Sequence, residues 1–145
     1  MAALAVGEAA EVRQLVLRRG IPDHVRWEED DDPRTWHLGA LDGDLVVGVV
    51  SLRPEPTPYR PGAAAVRFYA MAVRDECQRR GVGSMLLRAA LAGCRERGAR
   101  VVWANARDSA LVFYQGLGLG VVGDGFIHPA IGIPHHVVLV DLPGT

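Results

Sequence analysis

The spacing of apolar and polar residues along the chain predicts both helices and strands. In three segments apolar residues recur every three or four positions, as they do on the buried face of a helix. These predicted helices cover residues 8–19, 82–97 and 109–115. Gly20 and Gly98 come directly after the first two, where a glycine commonly ends a helix. Asp108 or Ser109 is expected to cap the third.

Strands are predicted where apolar residues alternate with polar ones, or run together, between turn-forming residues. They cover residues 2–6, 36–41, 45–53, 63–73, 101–104, 121–122 and 135–141. Asp42-Gly43-Asp44 is typical of a hairpin turn. The proline-rich segment 54–62 is predicted to be a loop, and so is 21–34, which carries the acidic run at 28–32. The order β-α-β-β-β-α-β-α-β-β predicts one α/β domain over 1–145 with a mixed sheet.

Composition and charge exclude several functional classes. The chain has 145 residues, of which 49% are apolar and 23% charged, as expected for a globular domain. A formal net charge of -1 gives no basic field for nucleic acid. No apolar run approaches the roughly 20 residues of a membrane span, and the N-terminus lacks the positive region of a signal peptide. The two cysteines form neither a disulfide framework nor a metal cluster. We therefore expect a cytoplasmic protein with no metal, nucleic-acid partner or membrane partner.

The most informative segment joins the strand predicted at 63–73 to the long helix. Its residues are Gln78-Arg79-Arg80-Gly81-Val82-Gly83. The first amides of a helix lack backbone partners and carry partial positive charge, so they bind anions. Glycine lets a phosphate approach the backbone closely, and the two arginines add positive charge. The segment predicts a pyrophosphate cradle; the alternative is a tight turn whose glycines serve packing.

A second motif lies downstream of this turn. A strand at 101–105 is followed by Ala110-Leu111-Val112-Phe113-Tyr114-Gln115-Gly116-Leu117-Gly118. With both segments the chain resembles the GNAT acetyltransferase superfamily, whose motifs are Q/R-x-x-G-x-G/A and A-x-x-F-Y-x-x-x-G-F. The resemblance covers essentially the whole chain and is strongest over 67–120; Leu119 departs from the preferred aromatic residue. It implies a mixed central sheet of about six to seven strands flanked by helices. Two neighbouring parallel strands, 64–73 and 101–105, would splay apart to form the cofactor cleft.

The resemblance also implies a reaction and roles for individual residues. It implies an acetyl-CoA-dependent N-acetyltransferase acting on an unidentified amine. The backbone of Met71 and Val73 would bond the pantetheine arm, Asn105 would contact pantetheine or an ordered water, and Tyr114 would protonate the leaving thiolate. The full set of implied cofactor contacts is Met71, Ala72, Val73, Gln78, Arg79, Arg80, Gly81, Val82, Gly83, Ser84, Asn105, Ala110 and Phe113. Homodimers are common among similar proteins, and the oligomeric state stays open.

Transfer to an amine also calls for a general base. Deprotonating a lysine-type amine, with a pKa of about 10.4, costs roughly 4 kcal/mol near pH 7.5. Because the strand at 63–73 carries no carboxylate beside the cofactor motif, the preferred candidates are His135 and His136, with His128 and the acidic run behind them. Adjacent strand residues face opposite ways, so at most one of the preferred pair points inward. Each histidine, like Tyr114, has a plain structural alternative in which it packs in the core or bonds the backbone.

Two other functions would use the same residues. One is a non-catalytic acyl-CoA-binding or sensing module on the same fold; the other is a nucleotide-binding module that uses only the glycine turn. The missing strand carboxylate favours the former, whereas Tyr114 argues against it. Segment 118–123 matches G-x-G-x-x-G, but it follows a helix and precedes a strand, so it predicts a helix cap and turn. The acidic run is either a solvated loop or an attractant for a cationic amine.

Overall fold

Seven strands form one mixed sheet in the computed structural model of the chain. The structure describes residues 2–4, 8–9, 12–13, 16–17, 28–129 and 132–143. The strands are β1 (Ala2–Leu4), β2 (Trp36–Asp42), β3 (Leu45–Pro54), β4 (Ala65–Val73), β5 (Val101–Arg107), β6 (Gly120–Ile127) and β7 (Pro134–Asp141). The helices are α1 (Val82–Glu96) and α2 (Leu111–Gly116), with short 3₁₀ helices at Glu28–Asp31, Asp75–Cys77 and Asp108–Ala110. Across the sheet the order is β1-β2-β3-β4-β5-β7-β6.

The predicted α/β pattern is confirmed, with two corrections around the second motif. β5 continues to Arg107 instead of ending at Ala104, because β7 pairs with it along its whole length and extends it beyond the apolar run. The chain then enters α2 through a 3₁₀ turn, so the helix begins at Leu111 with no side-chain cap from Asp108 or Ser109.

The predicted N-terminal helix is described at some of its positions. Those that are helical are Glu8, Ala9, Val12, Arg13 and Val16. The described residues do not include the rest of the predicted helix beyond Leu17, its expected cap Gly20 or the loop up to residue 27. Residues 5 and 6 of the first predicted strand also lie outside them.

The residues divide into two compact units, and helices cover both faces of β3 in the first. This unit consists of Met1–Arg53 and Phe68–Gly93. One buried cluster joins the N-terminal helical residues to the sheet through Ala9, Val12, Val49 and Ala72. The adjacent Gly48 meets α1, where a Cβ would lie 2.8 Å from Leu86 Cδ1. Because neighbouring strand residues face opposite sides, the N-terminal helical residues and α1 lie on opposite faces.

The second unit contains β5 and the first three residues of β4, where the predicted parallel pairing is found. It consists of Pro54–Arg67 and Cys94–Thr145. β4 and β5 run parallel and pair from Ala65↔Val101 to Arg67↔Trp103, at the beginning of both strands. β7 pairs antiparallel with both β5 and β6. The buried cluster of this unit contains Ala65, Val101, Trp103, Val137 and Leu139.

Two glycines end helices as predicted. Gly98 follows α1 with φ of 84°, and Ala99 N donates to Cys94 O at 3.0 Å. Gly118 follows α2 with φ of 94°, and Leu119 N donates to Tyr114 O at 3.1 Å. Gly118 of the G-x-G-x-x-G string therefore ends α2, as its position indicated. The predicted turn is shorter than expected, because residues 120–123 already lie in β6, where pairing with β7 extends the strand.

Candidate active site

The turn between β4 and α1 has the backbone geometry of an anion site. Arg79 and Gly81 have positive φ of 65° and 80°, on either side of Arg80. Alternating backbone conformations of this kind form concave sites that bind anions. α1 begins at Val82, so its first unpaired amides lie at the end of the same turn. A Cβ at Gly81 would meet no atom within 4 Å, so the space beside this residue is open.

The exposed side chain of Gln78 holds together the residues that precede this turn. Its Nε2 donates to the carbonyl of Val73 at 3.0 Å and to Asp75 Oδ1 at 3.2 Å. Arg74 N donates to Val47 O at 2.8 Å and ties the end of β4 to β3. The side chain of Gln78, predicted as a cofactor contact, thus shapes the loop that precedes the helix.

The end of β4 carries a backbone outlier. Ala70 has φ of 50°, a region that costs a non-glycine residue about 1–2 kcal/mol. Strain of this kind concentrates at functional sites, and Ala70 directly precedes the segment predicted to bond pantetheine. Met71 and Val73 are half-buried. The side chain of Ala72 belongs to the buried cluster with Val12.

Tyr114 is buried on α2 in the form that an acid requires. Its ring packs edge-on against Phe113, with centroids 5.2 Å apart. Burial raises the pKa of its phenol to about 12, while the guanidinium of Arg107 opposes part of that rise. A phenol with this pKa keeps its proton at neutral pH and can donate it. Of the other predicted contacts in this unit, Asn105 and Ala110 are half-buried and Phe113 is exposed.

His135 is a core residue. Its side chain is buried, and its Nδ1 donates to Ile133 O at 2.7 Å. The ring stacks on Phe126 at 5.7 Å between centroids and lies 5.0 Å from the ring of His128. These contacts match the structural alternative for this histidine.

His136 has a different environment. Its Nδ1 lies 2.6 Å from Asp108 Oδ1, and its side chain is partly exposed. It pairs opposite Ala106 of β5, whereas His135 pairs opposite Arg107. The two histidines therefore face opposite sides of the sheet, as the strand periodicity predicted.

A buried polar network in the first unit was not predicted from the sequence. The guanidinium of Arg13, which is 2% exposed, donates to both carboxylate oxygens of Asp30 at 2.6 and 3.2 Å and also to Ser51 Oγ. Ser51 Oγ bonds His37 Nδ1 at 2.6 Å, and Tyr69 Oη donates to Asp30. Five polar side chains from separate segments thus form one connected set, which we call the Arg13 network.

The Arg13 network holds one ion pair among neutral partners. Burial acts to raise the pKa of Asp30, but the hydrogen bonds from Arg13 and Tyr69 outweigh it and leave that pKa below its usual value. Burial, together with the bond to Asp30, raises the pKa of Tyr69 well above the ordinary range. Burial also lowers the pKa of His37, so its imidazole is neutral near pH 7.

The acidic run is therefore not a uniform negative patch. Asp30 is bound within the Arg13 network. Asp32 pairs with Arg34 at 2.9 Å, and hydrogen bonds from Arg34 lower the pKa of Asp32 to about 2. Two of its carboxylates thus have arginine partners.

The described part of the chain contains neither a membrane-spanning helix nor a metal-binding cluster. No helix there is long and apolar enough to span a membrane. No group of three or more His, Cys, Asp or Glu side chains there is arranged to hold a metal ion.

Comparison with known proteins identifies the family. The profile of the acetyltransferase (GNAT) family matches residues 8–119, which include the glycine turn and α2. The chain belongs to the GNAT acetyltransferase family. As a GNAT protein it is an acyltransferase, and acetyl-CoA is its co-substrate.

Relatives of this GNAT protein match it over nearly all their length. The uncharacterized N-acetyltransferase YitI of Bacillus subtilis strain 168 is 28% identical over 137 residues, covering 94% of this chain and 91% of YitI. An aminoglycoside 6'-N-acetyltransferase complexed with coenzyme A has a TM-score of 0.75 at 15% identity, over 100% of this chain and 99% of the other. FeeM, an N-acyl amino acid synthase from uncultured soil microbes, has a TM-score of 0.78 at 11% identity, over 97% and 95%. Both structures share the fold.

Proposed function

We propose that this protein transfers the acetyl group of acetyl-CoA directly to a primary amine of a small molecule or peptide. The observation that carries the proposal is the turn before α1, with positive φ at Arg79 and Gly81 and an open space at the helix start. The amides of residues 79–84 would hold the pyrophosphate. The backbone of Met71 and Val73 would bond the pantetheine arm.

Tyr114 supplies the acid in this proposal. The thiol of coenzyme A leaves as a thiolate unless a proton reaches it, and the buried phenol is protonated at every pH at which the enzyme would work. Strand amides near Val73 would polarise the thioester carbonyl. Loss of the phenolic proton source should therefore slow the chemical step and leave cofactor binding intact.

The acceptor is proposed at the level of its class. The two structural relatives are named for different amines, an aminoglycoside and an amino acid. The acidic run would attract a cationic amine, as a charged loop does. Asp30 and Asp32 of this run are bound to arginines, and the expectation belongs to the run as a whole.

Cofactor binding tests the phosphate cradle. Gly83→Glu adds bulk and negative charge at the start of α1, and we expect at least a tenfold loss of coenzyme A affinity, about 1.4 kcal/mol, in titration calorimetry. Gly93→Glu is the matched control, since it makes the same change later in the same helix, where a Cβ meets no atom within 4 Å. Equal affinity in both folded variants would remove the phosphate assignment.

Activity separates the proposal from its alternatives. Wild-type protein is titrated with acetyl-CoA, coenzyme A and ATP, then assayed with kanamycin, spermidine, glycine and a tripeptide with a free α-amine. Thiol release and the product mass should show transfer to at least one amine. Acetyl-CoA binding without transfer or hydrolysis would favour the non-catalytic module, and binding of ATP alone would favour the nucleotide-binding module.

Two further predictions rest on the sequence and the family resemblance. One is a cytoplasmic location, and the other is a homodimer as one of the oligomeric states that stay open. Light scattering after size exclusion would measure the mass in solution, where a monomer has 15.6 kDa.

A further inference from the structure

We infer that His136, and not its neighbour His135, is the general base of the transfer, and that Asp108 and Gly125 position its imidazole. The inference rests on the proposed function, because a base is required only where an amine accepts the acetyl group. His136 is the catalytic residue here; Asp108 and Gly125 act through it.

The carboxylate of Asp108 fixes the orientation of the ring. It can only accept a hydrogen bond, so the proton of the neutral imidazole lies on Nδ1, 2.6 Å from Asp108 Oδ1. Nε2 then presents the lone pair that takes a proton, the arrangement in which a carboxylate orients a histidine base. The side chain of His136 is 27% exposed and can be reached by substrate, whereas His135 is 4% exposed.

Gly125 makes the space in which the ring lies. β6 bulges here: the four steps from Val122 to Phe126 correspond to only two steps along β7. A Cβ at Gly125 would lie 2.6 Å from Cε1 and 2.8 Å from Nε2 of His136, closer than side chains approach one another. Gly125 does not have a positive φ. Glycine is therefore needed at this position because it has no side chain, and not because the backbone is unusual. Bulges of this kind redirect side chains beside active sites.

The base and the acid are carried by elements in contact. β7 packs against the 3₁₀ turn that begins with Asp108 and against α2, which carries Tyr114. The other charged side chains on elements packed against β7 are Arg107 on β5 and Asp124 on β6. Asp108 is the carboxylate that bonds His136.

The proposed step balances protons and electrons without a further reagent. The lone pair of the amine forms the bond to the acetyl carbon as Nε2 of His136 takes the proton of that amine. The carbon–sulfur bond breaks, and the sulfur takes the proton of Tyr114. His136 then loses its extra proton to water and Tyr114 regains one, which leaves an amide and the free thiol of coenzyme A.

Steady-state kinetics with the amine that wild type acetylates fastest tests the inference. We expect His136→Gln to lose at least about 100-fold in kcat with the acetyl-CoA KM within about twofold. His135→Gln should chiefly lower the melting temperature, because it changes a buried ring. Gly125→Ala should push the imidazole away from Asp108 and lower kcat in a protein that still binds coenzyme A.

Replacing Asp108 separates positioning from structure. Asp108→Asn should lower kcat at least about tenfold and leave the acetyl-CoA KM within about twofold, because the variant loses the carboxylate that fixes the orientation of the His136 ring. Asp124→Asn, the same change on the strand beside it, is the control and should keep the wild-type kcat.

Three outcomes would overturn the inference. His136→Gln with wild-type kcat, together with a large loss in His135→Gln, would transfer the role to His135. A wild-type kcat in Asp108→Asn would remove its positioning role. Failure of the wild-type protein to acetylate any amine would refute both the proposed function and the role of His136 as its base. This outcome differs from the first two because it is seen in the wild-type protein, without any variant.

Discussion

Replacing the buried phenol of Tyr114 tests the proposed mechanism most directly. Tyr114→Phe keeps the ring, its burial and its edge-on contact with Phe113, and it removes only the hydroxyl group. A general acid contributes about 10²–10⁴-fold, so we expect kcat to fall by that factor. This corresponds to about 3–5 kcal/mol of lost transition-state stabilisation, at 1.36 kcal/mol for each factor of ten.

The pKa of Tyr114 adds a second, independent expectation. Burial raises it to about 12, so at pH 8 only about one molecule in ten thousand carries the phenolate. Because an acid works in its protonated form, Tyr114 should cause no loss of kcat between pH 8 and 10. An exposed phenol, with a pKa near 10, would lose half its activity at the upper end of that range.

The assay is release of the coenzyme A thiol at saturating acetyl-CoA and acceptor, from pH 6 to 10. Titration calorimetry with coenzyme A should give the same affinity for both proteins. Thermal unfolding reports whether the variant is folded, and a modest drop is expected from loss of one buried polar group, about 1 kcal/mol. Unchanged kcat with reduced stability would refute the acid role and leave Tyr114 as a core residue.

Two further predictions concern the charges of the first unit. Asp30→Asn removes the carboxylate partner of the buried Arg13 guanidinium, and urea melts at pH 7 should show a loss of about 3 kcal/mol. Because the folded pKa of Asp30 is lowered, its contribution is present above its unfolded pKa and is lost as the pH falls through the folded value, so the two proteins should converge in acid. Parallel curves would contradict this, and Asp44→Asn, at an exposed position of the same unit, is the control and should behave as wild type. Neutralising Glu29 and Asp31 in the acidic run should raise the KM for spermidine and leave the KM for acetyl-CoA unchanged. The increase should become smaller as salt is added, because salt screens charges beyond about 8–10 Å. An unchanged spermidine KM at low salt would leave the run a solvated loop.

The fold could be predicted because its signals are local. The helical spacing of apolar residues within 82–97 marks α1 to within one residue, and glycine at position 98 marks its end. Strand ends are less visible because the pairing partner sets them. β5 runs past its apolar residues to Arg107 because β7, which begins only at Pro134, supplies hydrogen bonds along it.

In the candidate site, too, features that are contiguous in sequence could be predicted, and contacts between distant residues could not. The glycine turn is contiguous in sequence, so its motif could be read directly, although the left-handed backbone at Arg79 could not. Asp108 and His136 are 28 positions apart, and no spacing rule connects them. One feature of the sequence indicates the Arg13 network. His37 and Ser51 are polar residues within apolar strands, and they pair directly across the β2–β3 hairpin.

The two polar clusters are suited to different work. Proton transfer at neutral pH requires a group that changes charge there and that a substrate can reach. The Arg13 network has neither property: the pKa of Asp30 is lowered, that of Tyr69 is raised, and burial keeps His37 neutral. Its bonds instead tie the acidic run to β3 and β4 and fix the loop that precedes β2. The partly exposed imidazole of His136 is reachable, and Asp108 orients it. A base for the amine is therefore to be sought at the start of β7, and the Arg13 network is to be tested through stability.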